Sequence, residues 1–135
     1  MELRVWYPSM RAVRGHGIGN GNHRVVILNL VGVRSHGDDS KLMYRLLLDL
    51  SDFPSSQPSA YVLSPKDKDI QHVNIGNGSI TSLVPNRRVC SICLGEGSGS
   101  AFSAWPRKRM TRMRGFLNHL ENVLNTPNTA SRARG

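Results

Sequence analysis

The first half of the chain is patterned as short strands separated by breakers. Val25-Val26-Ile27-Leu28-Asn29-Leu30-Val31 is a run of β-branched and aliphatic residues, the composition that fits a pleated, packed surface. Ser35-His36-Gly37-Asp38-Asp39 has turn composition. After it Leu42, Tyr44, Leu46, Leu48 and Leu50 fall on every second position, which predicts a second strand with one face on a core. The two strands pair as an antiparallel hairpin. Asp52-Phe53-Pro54-Ser55-Ser56-Gln57-Pro58 breaks the pattern, and Ala60-Tyr61-Val62-Leu63 reads as a third strand. The expectation is a three-stranded antiparallel meander with one face that needs cover.

The cover is predicted near the other end. Met110, Met113, Leu117, Leu120 and Leu124 recur at intervals of three and four, one face of an α-helix. Asn125 follows and Pro127 prevents continuation. Between these regions, residues 64–104 are dominated by Pro, Gly, Asn, Ser and Asp. Their short apolar pieces are Ile80-Thr81-Ser82-Leu83-Val84 and Val89-Cys90-Ser91-Ile92-Cys93. That predicts little regular structure, and a long irregular segment in a small domain is usually functional. Residues 1–23 are weakly patterned. A short helix over Arg4 to Arg14 would be interrupted at Pro8. Gly15-His16-Gly17-Ile18-Gly19-Asn20-Gly21-Asn22 reads as a loop, because no strand precedes it and no helix follows. The expected fold class is α+β over a single domain of residues 1–135: an antiparallel meander, a long irregular active-site segment and a packed C-terminal helix.

Charge adds one thing to this picture. Eighteen Lys and Arg stand against nine Asp and Glu, a net charge of +9, which favours acidic partners without naming them. Aromatic residues make up only 6%, which argues against a base-stacking surface for single-stranded nucleic acid. Arg107-Lys108-Arg109-Met110-Thr111-Arg112-Met113-Arg114 concentrates five cations. It reads as a solvated basic face, a nucleic-acid contact or a dock for an acidic protein. No apolar run is long enough to span a membrane, and the N-terminus lacks a signal-peptide pattern. Two cysteines are too few for a disulfide framework, so the chain is expected to be reduced and cytoplasmic.

The candidate chemistry centres on Asn86-Arg87-Arg88-Val89-Cys90-Ser91-Ile92-Cys93-Leu94-Gly95-Glu96-Gly97, which holds both cysteines. Four readings stand open. A redox pair would sit at a helix N-terminus, and Gly95, Gly97 and Gly99 argue against a helix there. Half a zinc site would need further ligands, and His23, His36, His72 and His119 show no ligand spacing. One cysteine can be a reactive thiol with the other structural, or both can be small buried hydrophobes.

The order of pieces around these cysteines resembles the ubiquitin-conjugating enzyme family, whose members carry ubiquitin-like proteins as cysteine thioesters. Phe53-Pro54 and Pro58 resemble the Phe-Pro…Pro stretch after the family's meander. His72-Val73-Asn74-Ile75, with Asn74 20 residues after Pro54, resembles His-Pro-Asn-Ile, and Asn77-Gly78-Ser79-Ile80 continues the likeness. Ile92-Cys93-Leu94 resembles the active-site tripeptide, Trp105-Pro106 the tryptophan loop, and Leu117 to Leu124 with Pro127-Asn128 the helix and its exit. The likeness covers residues 42–131. The chain departs from the pattern in four ways. The long first helix is missing or shortened. Val73 replaces the middle proline. Cys90 and Cys93 lie 16 and 19 residues beyond Asn74, about twice the family spacing. Ser59 and Arg107-Lys108 stand where many members offer ligase contacts.

The resemblance implies a ubiquitin-conjugating-enzyme-like fold and a carrier that takes a ubiquitin-like modifier from an activating enzyme and passes it to a lysine amine, with or without a ligase. No cofactor and no metal enter that chemistry. Cys93 is the favoured nucleophile and Cys90 the alternative. Asn74 supports the thioester loop or donates to the oxyanion, with Asn86 the alternative because Pro85-Asn86 also resembles the Pro-Asn step. His72 belongs to the same site, Ser131 positions the incoming lysine, and Arg87 and Arg88 favour a thiolate by proximity. The rival readings are a non-catalytic modifier-binding scaffold of the same fold and a small basic nucleic-acid-binding protein.

Overall fold

The structure, a computed structural model, describes residues 10–13, 24–35, 37–81, 84, 87–95 and 98–127. The glycine loop at 15–22, Asn86 and Ser131 lie outside them, as does most of the segment 1–23.

Among the described residues six strands form one antiparallel sheet: β1 (Arg11–Val13), β2 (Val25–Ser35), β3 (Asp38–Asp49), β4 (Ser59–Ser64), β5 (Ile75–Ile80) and β6 (Arg88–Ile92), in the spatial order β1-β2-β3-β4-β6-β5. Two helices follow, α1 (Ser98–Ala104) and α2 (Arg109–Asn125). The meander expected from the apolar pattern is β2-β3-β4. In register, Leu28 faces Leu46, Leu46 faces Val62 and Leu48 faces Ala60.

The alternating positions build the main core. Val26, Leu28 and Leu30 of β2, Tyr44, Leu46 and Leu48 of β3, and Ala60 and Val62 of β4 pack with Met113, Phe116, Leu117, Leu120, Val123 and Leu124 of α2. The opposite face carries a smaller cluster of Val25, Ile27, Leu47, Leu63, Val84 and Val89. Burial on both faces explains why residues 25–28 and 46–48 are continuous apolar runs, while residues 42–46 of β3, covered on one face, alternate.

Three expectations are corrected. The segment 64–104 is largely ordered: it contains β5, β6, α1 and a 3₁₀ turn at Asp67–Asp69. The glycines after Cys93 do not exclude a helix, because α1 starts at Ser98 and is anchored by Phe102. The Phe102 ring lies 6.2 Å from that of Phe53 and 6.1 Å from that of Trp105. Aromatic packing of this kind outweighs the helix cost of small residues. Finally, residues 11–13 form an edge strand beside β2 instead of part of a helix.

The basic run divides. Arg107, Lys108, Arg109 and Arg114 are exposed, whereas Arg112 is only 4% exposed. Its guanidinium donates to the carbonyls of Pro54 (2.6 Å), Ser103 (3.1 Å) and Trp105 (3.1 Å), and sits 5.0 Å from the centre of the Phe102 ring. One fork of donors therefore ties the segment after β3, the end of α1 and the Trp105 loop to α2. Gly115 provides the seat for that loop, since a Cβ there would lie 2.6 Å from the Trp105 ring.

Arg112→Met keeps the bulk but strands three carbonyls. It is expected to destabilise the fold by about 2–4 kcal/mol, read as a lower urea midpoint. A midpoint equal to wild type would show that the fork contributes little.

Candidate active site

The site begins with how the chain closes a long detour. β5 and β6 form a hairpin with Ile75 opposite Ile92 and Gly78 opposite Cys90. Asn74 and Cys93, one step beyond the Ile75–Ile92 pair, are thereby brought together: Cys93 N–H donates to the Asn74 carbonyl at 2.7 Å. The extra residues between Asn74 and the cysteines are this hairpin. In sequence Cys90 lies nearer to Asn74, but the hairpin makes Cys93 its spatial neighbour.

Strand geometry also separates the two sulfurs. Side chains alternate across a strand, so residues three apart point to opposite sides. Cys90 lies in the main core with Ile92 and is 2% exposed, while Cys93, just past β6, is exposed. Neither is in a disulfide. Among the described residues no cluster of three His, Cys, Asp or Glu is placed to hold a metal ion, and no helix is long and apolar enough to cross a membrane. A thiol that attacks a macromolecular acyl group must be reachable, and of the two cysteines that describes Cys93.

His72 is 0% exposed. Its Nδ1 accepts the Asn74 backbone N–H at 3.2 Å, so Nε2 carries the proton and donates to the Leu124 carbonyl at 3.0 Å. The Tyr44 ring packs edge-on, with centroids 6.2 Å apart. Burial pushes the His72 pKa down, and the carbonyls of Leu124 and Val123 only partly oppose that. The imidazole is therefore neutral and enclosed. It holds the 72–74 turn to the end of α2 and is closed to solvent. Asn74 is also buried, and its backbone is engaged on both sides.

The arginines ahead of the cysteines turn elsewhere. Arg87 donates to the Leu63 carbonyl at 2.6 Å and Arg88 to that of Gly78, at the end of β6 opposite to Cys93. They do not sit at Cys93; with the buried Cys90 they line a cavity of about 530 Å³ on the other side of the strand. Ser131 and Asn86 lie outside the described residues.

One neighbour of the thiol carried no sequence signal. His119 of α2 is half-buried, and its Nε2 donates to the Leu94 carbonyl at 2.7 Å. It sits at the margin of the helix's apolar stripe, and only the tertiary fold brings it to the residue after Cys93. Its ring also helps line a cavity of about 500 Å³ with Trp105, Thr111, Gly115 and Asn118.

Comparison with known proteins found no matching family model, curated protein or solved structure. The class defined by the geometry is an α+β domain with an antiparallel sheet, two C-terminal helices and an exposed cysteine at the end of an interior strand.

Two outcomes are expected. Iodoacetamide should alkylate Cys93 in the folded protein, with Cys90 reacting only on unfolding, as read by peptide mass mapping. Equal native labelling of both would contradict the burial of Cys90. For His72 the folded pKa lies below the unfolded value, so the unfolded chain binds the extra proton. Stability should be full above about pH 6.5 and fall as pH drops from there toward the folded pKa, by up to about 1.4 kcal/mol per pH unit. Urea midpoints between pH 5 and 7 test this. A flat profile would mean that His72 accepts a proton without cost.

Proposed function

We propose that this protein is a carrier of the ubiquitin-conjugating type: it holds a ubiquitin-like modifier as a thioester on Cys93 and transfers it to a lysine amine. The observation that carries the reading is the Cys93–Asn74 hydrogen bond. It joins the His-Val-Asn turn to the Ile-Cys-Leu segment across an insertion of family-atypical length. The meander covered by a C-terminal helix fits the ubiquitin-conjugating-enzyme-like fold. The tryptophan loop seated on Gly115 is a further point of likeness.

In this reading the Cys93 thiolate attacks the carbonyl of the modifier's C-terminus on the activating enzyme. A new C–S bond forms and the activating enzyme's thiolate leaves. The lysine amine then attacks that thioester carbonyl, an amide forms, the Cys93 thiolate departs and the amine's proton goes to water. Asn74 acts mainly as support: its carbonyl fixes Cys93 N–H, and its own N–H is fixed by His72. His72 is a positioning residue and not a proton carrier. Ser131, where the family has a Ser or Asp near the incoming lysine, orients the amine, since a hydroxyl is a poor base near neutral pH. The exposed Arg107, Lys108 and Arg109 suit an acidic face on the activating enzyme or a ligase.

With the activating enzyme, ATP and modifier, the wild-type chain should give an adduct that disappears under reducing thiol. Cys90→Ala should keep the adduct and Cys93→Ala should lose it. No reducible adduct with any cognate pair would sink the carrier reading. Strongly salt-dependent binding to DNA or RNA in its place would favour a nucleic-acid role.

A further inference from the structure

Cys93 lies one step beyond the last assigned β5–β6 pair, where a single bond to Asn74 continues the register. The next residues include Gly95 at φ +90, where the chain turns away with nothing within 4 Å of a would-be side chain. Two bonds to other parts of the fold fix the segment. On one side Cys93 N–H meets the Asn74 carbonyl at 2.7 Å. On the other the Leu94 carbonyl accepts from His119 Nε2, also at 2.7 Å. The first anchors the peptide before Cys93 and the second the peptide after Leu94. Between them lies the Cys93–Leu94 peptide, whose orientation these two anchors define.

That central peptide carries the Leu94 N–H. In acyl-transfer sites the backbone N–H of the residue following the nucleophile commonly donates to the oxyanion. We propose that His119 is a positioning residue for acyl transfer at Cys93: by holding the Leu94 carbonyl it sets the Cys93–Leu94 peptide so that Leu94 N–H meets the developing oxyanion. The inference rests on the thioester reading of Cys93. His119 itself touches neither the sulfur nor the acyl group in this scheme.

The two kinds of thiol chemistry separate this role from simple loop packing. Alkylation by iodoacetamide displaces iodide at carbon and forms no oxyanion. Acylation by p-nitrophenyl acetate does: Cys93 sulfur bonds the acetyl carbon, the thiol proton goes to buffer, and p-nitrophenolate leaves. The ratio of Cys93 acylation to alkylation rates thus reads oxyanion support independently of accessibility. It is measured by mass mapping, with Cys93→Ala giving the background. In folded wild type the ratio should exceed that of the same chain in urea by about tenfold.

His119→Gln places an amide N–H where Nε2–H stood and should keep most of that excess. His119→Asn is one methylene shorter, cannot reach Leu94, and should fall to the unfolded ratio while the protein stays folded, as read by a cooperative urea transition. If folded His119→Asn keeps the wild-type ratio, or His119→Gln loses it as fully, the proposal is overturned. A wild-type ratio no higher than that in urea overturns it as well. A normal ratio in wild type with no modifier adduct would leave the His119 role standing and reject the carrier reading.

Discussion

The fold and the candidate site meet at one buried imidazole. His72 accepts from the Asn74 amide and donates to the Leu124 carbonyl, so one neutral ring joins the turn before β5 to the last turn of α2. The Asn74 side of the Cys93 segment is referred to that bridge. Asn74 in turn receives Cys93 N–H, and Gly32 clears the space that lets α2 end so close to the sheet. A Cβ on Gly32 would lie 2.8 Å from both the Cβ and the carbonyl oxygen of Leu124. Asn125 adds a second clamp, donating to the Val31 carbonyl and accepting from Lys41. The Cys93 segment is thus tied to the C-terminal helix through a chain of hydrogen bonds and without a charged group in the core at that point.

The arrangement also explains why two cysteines in one short motif have different fates. A cysteine pair three residues apart on a helix shares a face, whereas on an extended strand it divides between faces. Cys90 fills core space opposite Gly78 and Val62, and Cys93 emerges at the strand end. Redox pairing and shared metal ligation both need the sulfurs together, so the same backbone parity disfavours both and leaves a single accessible thiol.

The strands of the meander and the final helix were legible in the sequence because each buries one regular stripe: Tyr44, Leu46 and Leu48 at period two, Met113, Leu117, Leu120 and Leu124 at helical period. What escaped the sequence depends on long-range contacts. α1 looks like a glycine-serine loop until Phe102 finds Phe53 and Trp105. Arg112 looks like one cation in a solvated run until three carbonyls from separate segments converge on it. β5 is short and polar enough to read as irregular, because it lies at the sheet edge with Asn77, Ser79 and Ile80 exposed, and β6 shows only as a short apolar piece whose partners come from distant segments. For the site, Cys93, Asn74 and His72 were named from motif order alone. His72 proves to be a buried support, and His119 could be found only from the folded chain.

The most direct test of the account replaces the labile bond by a stable one at the same position. Cys93→Lys, incubated with activating enzyme, ATP and modifier, should form an isopeptide that survives reducing thiol, with tandem mass spectrometry locating the modifier's C-terminal residues on position 93. A stable adduct mapped to another lysine, with position 93 unmodified, would contradict Cys93 as the acyl-bearing site.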